Sequence, residues 1–338
     1  MSISEKWVKE AKNHYKEKSS EEDRFYSKFL ADYKNNEKKR EEARKTRGKL
    51  GADWKPNDLA GMRVLVIGEN GVGDEILTAG CLSQLTQECR QVIWRCDRKL
   101  QSLFKRSFPG IEFVSHGDTE PTVDGTIYSW ELISRFRRAL NGFGWLTNGD
   151  FAPYIRPSQA LKDSLRERYS DGSRKLVGLA WRSERDGKEI PDKACDLCDV
   201  PYWGEFFACL GNKVRFVSLQ YGDTQDEIAF VRRRYGTEIY QDGRLDIFGD
   251  ADAAAAQIAT MDYVISISTA AAHFAGSMGV PSWVLLQKKP FAHWRAGKEI
   301  CPWYPTLRPV PQKVKGNWQD AIETVTRELC HEIENGPW

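Results

Sequence analysis

The chain has 338 residues, of which 41% are hydrophobic and 29% charged, and its formal net charge at pH 7 is +2. This length predicts about two domains, and so small a net charge argues against a dedicated nucleic-acid-binding protein, which needs a large basic surface. No stretch reaches the roughly 18 apolar residues of a membrane span, and the first residues lack the apolar stretch of a signal peptide. We therefore expect a cytoplasmic globular protein whose eight cysteines are mostly reduced, buried thiols.

Residues 1–60 differ from the rest of the chain because they are dense in lysine and glutamate. Apolar residues recur at helical spacing in two runs, from Trp7 to Tyr15 and from Phe25 to Tyr33, which predicts a charged helical hairpin followed by a linker. Packing of its apolar stripe on the body of the protein is the favoured interpretation, and docking of a partner protein is the alternative.

From Arg63 onward, short apolar runs alternate with amphipathic stretches. Eight runs predict strands, at residues 64–67, 91–96, 111–114, 126–128, 176–180, 214–219, 263–265 and 283–286. This alternation, given twice, predicts an α/β protein with two parallel, Rossmann-like sheets covered by helices, the first in residues 61–160 and the second in residues 161–318. We expect a C-terminal helix over residues 319–338 that packs back on the N-terminal domain.

Ligands of such sheets bind at the carboxyl ends of the strands, and the loop after the first strand carries three glycines within residues 68–75. Glycine allows positive φ and close approach of the backbone to a ligand, although the spacing is neither a dinucleotide fingerprint nor a P-loop. Asp74 either takes a proton from an attacking hydroxyl or caps the helix predicted to start near Ile76. We call this the acceptor-side loop, after the hydroxyl that would accept the transferred group, and its other candidate site residues are Glu69, Gly71, Gly73 and Glu75.

A second strand-to-helix loop reads Ser-Ile-Ser-Thr-Ala-Ala-Ala-His over residues 266–273. Ser268 or Thr269 can cap the helix, and the alanines from Ala270 onward leave its first turn sterically open. Free backbone N–H groups and the positive end of the helix dipole make such a turn suitable for a diphosphate. His273 lies about one turn into the helix, where it either forms a charge-assisted hydrogen bond to a phosphate or packs as a core histidine.

Three further strand ends are polar or aromatic, and flat rings suit stacking on a base or a sugar while arginine suits a diphosphate. They are Trp181-Arg182-Ser183, Gln220-Tyr221, and a loop containing Phe291, His293, Trp294, Arg295, Trp303 and Tyr304. Simple anchoring of that loop by its aromatic rings is the alternative. Two patterns suggest a metal, but helix capping explains Asp250-Ala-Asp252, and Cys195 and Cys198 lack further ligands, so we expect no metal or other cofactor.

Taken together, these loops resemble the bacterial GT-B glycosyltransferase domains that are often attached to tetratricopeptide repeats and are related to the ADP-heptose lipopolysaccharide heptosyltransferases of family 9. The resemblance covers about residues 61–318 and rests on the order and spacing of several motifs. They are GENGVGDEI (68–76), LFKRSFP (103–109), VGLAWRS (177–183), VSLQYG (217–222), TAAAHFAG (269–276), GVPSWVLL (279–286) and CPWYP (301–305).

The resemblance implies an inverting, metal-independent transfer of a sugar from a nucleotide-diphosphate donor to a glycan, lipid-linked or protein acceptor. It implies that Asp74 is the base and that residues 269–273 bind the diphosphate. Donor-side positions by the same resemblance are Trp181, Arg182, Gln220, Trp294 and Arg295. Relatives commonly have Asp where this chain has Ser268, which puts the usual donor sugar in doubt. The alternatives are a nucleotide-sugar epimerase of the same shape and a non-catalytic module that binds a nucleotide sugar.

Overall fold

The computed structural model describes residues 2–31, 59–119, 121–147, 150–185, 188–198, 202–295 and 299–335. Two helices, α1 (Ile3–Glu17) and α2 (residues 19–31), precede the first strand. Tyr33 and the predicted linker before residue 59 lie outside the described residues. Within the described part of the chain, no helix combines the length and apolarity needed to cross a membrane.

The first sheet has four parallel strands in the order β3-β2-β1-β4. Its elements are β1 (Arg63–Ile67), α3 (Val72–Ala79), α4 (Leu82–Glu88), β2 (Gln91–Cys96), α5 (Gln101–Ser107), β3 (Glu112–Ser115), β4 (Gly125–Tyr128), α6 (Glu131–Phe136) and α7 (Gly144–Thr147). After their first residues, β1 and β2 are buried throughout. Burial on both faces explains why they read as continuous apolar runs rather than as alternating ones.

The second sheet has six parallel strands in the order β12-β11-β10-β5-β8-β9. The elements of this half are α8 (Gln159–Tyr169), β5 (Lys175–Ala180), β6 (Arg182–Arg185), β7 (Lys188–Ala194), α9 (Gly204–Leu210), β8 (Val214–Ser218), α10 (Gln225–Tyr235), β9 (Ile239–Tyr240), α11 (Ala251–Ala259), β10 (Tyr263–Ile267), α12 (Ala270–Ser277), β11 (Ser282–Leu286), β12 (Leu307–Pro311) and α13 (Gln319–Asn335). Strands β6 and β7 form a separate antiparallel hairpin. Three short 3-10 helices lie at Arg98–Leu100, Leu140–Gly142 and Ala292–Arg295.

All eight predicted strands are present within two residues of their predicted ends, and the predicted α/β class with two parallel sheets is confirmed. The prediction missed the β6–β7 hairpin, β9 and β12. Strand β12 contains Pro309 and Pro311 and lies at the edge of its sheet, where proline is tolerated because one side of the strand needs no ladder partner.

The N-terminal helices pack on the body of the protein, as the favoured interpretation predicted. Trp7 of α1 is buried edge-on against Trp283 of the second sheet, with ring centroids 5.0 Å apart, and the Arg308 guanidinium lies 3.8 Å from the Trp7 ring centroid. In α2, the Tyr26 hydroxyl donates to the Arg137 carbonyl at 2.7 Å. The apolar stripe is therefore used internally, and docking of a partner on the charged outer face stays a prediction.

Helix α13 contradicts the packing expected for it. Its buried residues, among them Ile322 and Leu329, join the apolar cluster of the second sheet together with Trp7, rather than the N-terminal domain. The physical reason is that α9 and α13 cover the same face of the second sheet, where Cys209 and Cys330 pair as a disulfide. The other six cysteines are free thiols, in line with the expectation for most of them.

Candidate active site

A cavity with a volume of ≈ 390 Å³ lies between the two halves, at the carboxyl ends of both sheets. This is the edge where ligands of open parallel sheets bind. The first half contributes Gly71, Val72, Gly73, Asp74 and Lys99. The second half contributes Ser183, Glu184, Tyr221, Ile247, Phe248, Ala251, Ser268, Thr269, Ala270, His273, Phe274, Phe291 and His293. The cavity therefore brings together the two loops that the sequence singled out, although they are about 200 residues apart.

Two of the three glycines of the first loop, Gly68 and Gly73, serve close packing rather than positive φ, whereas a Cβ on Gly71 would meet no atom within 4 Å. The residue with positive φ in this loop is Asn70, at 69°, in the left-handed region that asparagine tolerates better than most residues. A Cβ on Gly68 would lie 2.6 Å from the Glu75 carboxyl, and a Cβ on Gly73 would lie 2.7 Å from Cδ2 of His273. The close approach predicted for these glycines is thus made to side chains of the protein itself, and Gly73 brings α3 directly against α12.

Asp74 lies in the first turn of α3, half-buried, and lines the cavity. The helix begins at Val72 rather than near Ile76, and its N-cap is Gly71, so Asp74 is not the capping residue. An acidic residue in the first turn still interacts favourably with the helix dipole. Asp74 is nevertheless at the cavity, which is the location that the proton-transfer hypothesis requires.

Glu75 points away from the cavity, although the sequence placed it in the same loop. It is 3% exposed and accepts hydrogen bonds from the backbone N–H of Asp97 at 3.1 and 3.3 Å. Burial raises the pKa of Glu75 to about 8, because a charged carboxylate loses its hydration there. Glu75 therefore stabilises the loop through its hydrogen bonds to Asp97. Neither Glu75 nor Glu69 is among the described residues that line the cavity.

The second loop enters α12 with Thr269 at the N-cap position, but the Thr269 side chain does not cap the first turn. Its hydroxyl lies 3.2 Å from that of Ser266 instead. Ser268 accepts a hydrogen bond of 2.7 Å from the Trp294 indole N–H. The first turn of α12 therefore faces the cavity without a side-chain cap, and Ser268 anchors the aromatic loop that follows β11.

His273 is held on several sides. Its Nδ1 lies 3.0 Å from the Tyr304 hydroxyl, and its ring centroid lies 4.8 Å from that of Trp294. The nearby Tyr154 hydroxyl donates to the Ile76 carbonyl in α3 at 3.1 Å. Burial raises the pKa of Tyr304 well above its usual value, so the Tyr304 hydroxyl stays neutral. Tyr304 thus holds the His273 ring of α12, and Tyr154 bonds to α3, the helix that carries Asp74.

Two exposed aromatic rings flank the cavity. Phe248 is 62% exposed and Phe291 is 50% exposed, and among the described residues Val314 is the other large hydrophobic side chain that is left exposed. Both rings line the cavity and leave apolar surface exposed there. The Phe291 ring stacks near His293, with an angle of 12° between the rings and centroids 6.1 Å apart.

No family model matches the chain. It is 29% identical over 306 residues to protein FlbA of Caulobacter vibrioides, a match that covers 82% of this chain. The chain spans about half (48%) of the length of that curated relative. Among solved structures it is similar to E. coli ADP-heptose LPS heptosyltransferase II, with a TM-score of 0.52, 14% identity, and coverage of 81% of this chain and 98% of that one. It is also similar to the family 9 glycosyltransferase of Veillonella parvula, with a TM-score of 0.50, 13% identity, and coverage of 83% and 91%.

The chain has a heptosyltransferase-like GT-B fold. Within this fold, the residues predicted to line the donor side divide into two groups. Ser183, Tyr221, Ser268, Thr269, Ala270 and His273 line the cavity, whereas Trp181, Arg182, Gln220 and Trp294 are not among its described lining residues.

Three residues of the second group, Trp181, Arg182 and Gln220, bind one another and neighbouring protein groups next to the cleft. The Gln220 side-chain oxygen accepts from the backbone N–H groups of Trp181 and Arg182, at 3.0 Å each. The Arg182 guanidinium is buried in ion pairs with Glu184 and Glu227, and the Trp181 indole N–H also donates to Glu227. These residues hold the ends of β5 and β8 in register.

Two other predicted features also have definite places. Asp250 caps α11, because it accepts from the backbone N–H groups of Asp252 and Ala253, and Asp252 forms an ion pair with Arg106. Trp303 packs in the core, edge-on against Phe143 at 4.9 Å, as the anchoring interpretation predicted for this loop. The Arg295 side chain lies outside the described residues.

The sequence did not identify Lys99 and Phe248 as site residues. Lys99 follows the end of β2 within three residues, so the rule that singled out the other loops also applied to it. Phe248 follows no parallel strand closely and carried no such signal. The other cavity residues that the assigned sites left out are Val72, Glu184, Ile247, Ala251, Phe274, Phe291 and His293.

Proposed function

We propose that this protein is an inverting glycosyltransferase that moves a sugar from a nucleotide-diphosphate donor to a hydroxyl acceptor without a metal ion. The observation that carries the proposal is the meeting of two groups in one cavity. The Asp74 carboxylate and the uncapped first turn of α12 both line it, and the packing of Gly73 on His273 determines their relative position. The fold of the heptosyltransferases supports the same function.

In the proposed reaction, the acceptor hydroxyl gives its proton to Asp74 while its oxygen forms a bond to the anomeric carbon. The bond from that carbon to the diphosphate oxygen breaks on the opposite face, and the electron pair leaves with the diphosphate. The N-terminal amides of α12 and the His273 imidazole stabilise the negative charge that develops there. Displacement from the opposite face inverts the anomeric configuration.

The first experiment identifies the nucleotide-sugar donor. A thermal-stabilisation screen with ADP-, UDP- and GDP-sugars is expected to yield one class of ligand, and ADP-heptose is the first to test because a structural neighbour is named for it. Transfer to glycan, lipid-linked and protein acceptors is then followed by mass spectrometry. The anomeric configuration of the product is determined by NMR, and unchanged rates in the presence of EDTA test metal independence.

The variant Asp74→Asn distinguishes a role of Asp74 as the base from a role in nucleotide binding. We expect turnover to fall by roughly 10²–10⁴-fold, as for loss of a general base, while nucleotide affinity stays close to that of the wild type. His273→Ala is expected to weaken nucleotide binding instead. Full transfer activity in Asp74→Asn would remove Asp74 from the proposed role.

The two alternative functions give different results in the same assays. Isomerised donor after incubation without an acceptor would identify an epimerase. Stabilisation by a nucleotide sugar without turnover on any acceptor class would identify a binding module. Either result would replace the proposal.

A further inference from the structure

Among the described residues that line the cavity, one lysine or arginine side chain is placed to pair with the negative charge of a diphosphate. Asp74 and Glu184 contribute two carboxylates, and among the described lining residues Lys99 is the one lysine or arginine. Arg182, which the resemblance placed on the donor side, is buried against Glu184 and Glu227 and donates to the Asp223 carbonyl. Its guanidinium is thus already committed to protein acceptors.

Lys99 reaches the cavity from the first half of the protein. Its backbone N–H donates to the Asp97 carboxylate at 2.9 Å, which determines its position after β2. Its Nζ atom lies 3.8 Å from the centroid of the Phe248 ring, which belongs to the second half. The Phe248 ring in turn lies 5.4 Å from that of Tyr221, at the carboxyl end of β8. The Lys99 side chain therefore extends across the cleft, and its ammonium lies over an exposed ring.

A separate contact ties the same segment to the second half. Arg106 of α5 forms a bidentate ion pair with Asp252 of α11, with N–O distances of 2.7 and 2.6 Å. Asp252 also accepts from the backbone N–H of Ser158 at 3.0 Å. This pair and the packing of α3 on α12 join the two halves independently of Lys99, so the Lys99 side chain can change partners while these contacts stay in place.

Resting on the proposed function, we propose that Lys99 binds the diphosphate of the donor from across the cleft and exchanges the Phe248 ring for a phosphate oxygen. A charge-assisted hydrogen bond to phosphate is stronger than a cation–π contact at an exposed ring, so the exchange is favourable. The donor is the favoured ligand, rather than the acceptor, because the ammonium lies over the Phe248 ring of the second half, which also carries the first turn of α12.

The test measures binding of ADP, UDP and GDP, and of the matching nucleosides, to the full chain by calorimetry or competition. Lys99→Gln is expected to lower affinity for the nucleoside diphosphate by about tenfold or more, as for loss of a charged hydrogen bond. Affinity for the matching nucleoside is expected to stay within about twofold. Lys99→Arg keeps the charge and is expected to restore most of the affinity.

Arg98→Gln is the matched control, because Arg98 is the neighbouring cation, is exposed, and is not among the lining residues. Diphosphate affinity in Lys99→Gln equal to that of the wild type would overturn the assignment, and so would an equal loss for the nucleoside. A wild-type protein that binds none of the three diphosphates would overturn the proposed function itself. That failure is recognised before any variant is made.

Discussion

Replacement of Gly73 by alanine tests whether the contact between α3 and α12 positions the reacting groups. The added Cβ would lie 2.7 Å from Cδ2 of His273, where ordinary contact begins at 3.4 Å, so one of the two helices must move by several tenths of an ångström. The His273 ring cannot easily yield, because Tyr304 lies 3.0 Å from its Nδ1 and the Trp294 ring lies behind it.

Two energies of opposite sign act on the stability of this variant. Overpacking costs about 1–3 kcal/mol, whereas replacing a glycine within a helix by alanine stabilises the helix by roughly 1 kcal/mol. We therefore expect the free energy of unfolding to fall by about 0–2 kcal/mol. Activity is far more sensitive, since a displacement of about 1 Å between reacting groups can cost 10²-fold in rate. A fall of that order in kcat/KM is the expected result.

Steady-state transfer kinetics and denaturant unfolding measure the two effects on the same protein preparation. Gly204→Ala is the matched control, because Gly204 begins α9 away from the cavity and an added Cβ there would meet its nearest atom, on Tyr235, at 3.8 Å. Wild-type kinetics in Gly73→Ala would show that the packing of α3 on α12 does not position the site, and the argument for the proposed mechanism would lose its central contact.

Two further predictions follow from buried groups around the cavity. Glu75 has its pKa raised to about 8 in the folded protein, so its contribution to stability is complete below the unfolded pKa and is lost as the pH rises toward 8. The free energy of unfolding of the wild type, measured with denaturant, should therefore fall by an amount on the order of a few kcal/mol between pH 5 and pH 8. Glu75→Gln should remove this fall, and an identical pH dependence of the unfolding free energy in the two proteins would contradict the reasoning. Tyr304→Phe removes the hydroxyl beside His273 and should weaken nucleotide binding by about 3- to 10-fold in calorimetry. Tyr263→Phe, whose hydroxyl faces Glu332, should leave binding unchanged, and equal effects of the two substitutions would refute the role of Tyr304.

The strands and the sheet class were predictable because each buried parallel strand is a local apolar run between polar turns. The run Val92-Ile93-Trp94 is an example, since it lies within β2 and is fully buried. Strand β12 was not predictable in this way, because its two prolines argue against a strand unless its edge position is already known. The packing of α13 was missed for a related reason: an amphipathic helix shows which of its faces is buried, but not against which domain.

The sequence also determined which loops meet in the cleft, because ligand-binding residues of parallel sheets follow the carboxyl ends of strands. It could not separate the residues that face the cavity from those that support it, as Glu75 and Arg182 show. Adjacent positions in a loop differ in direction by their backbone geometry, which depends on packing from other parts of the chain. Only the tertiary structure placed Gly73 against His273 and brought Lys99 to Phe248, because each pair joins residues from different halves whose approach is determined by the packing of the two sheets.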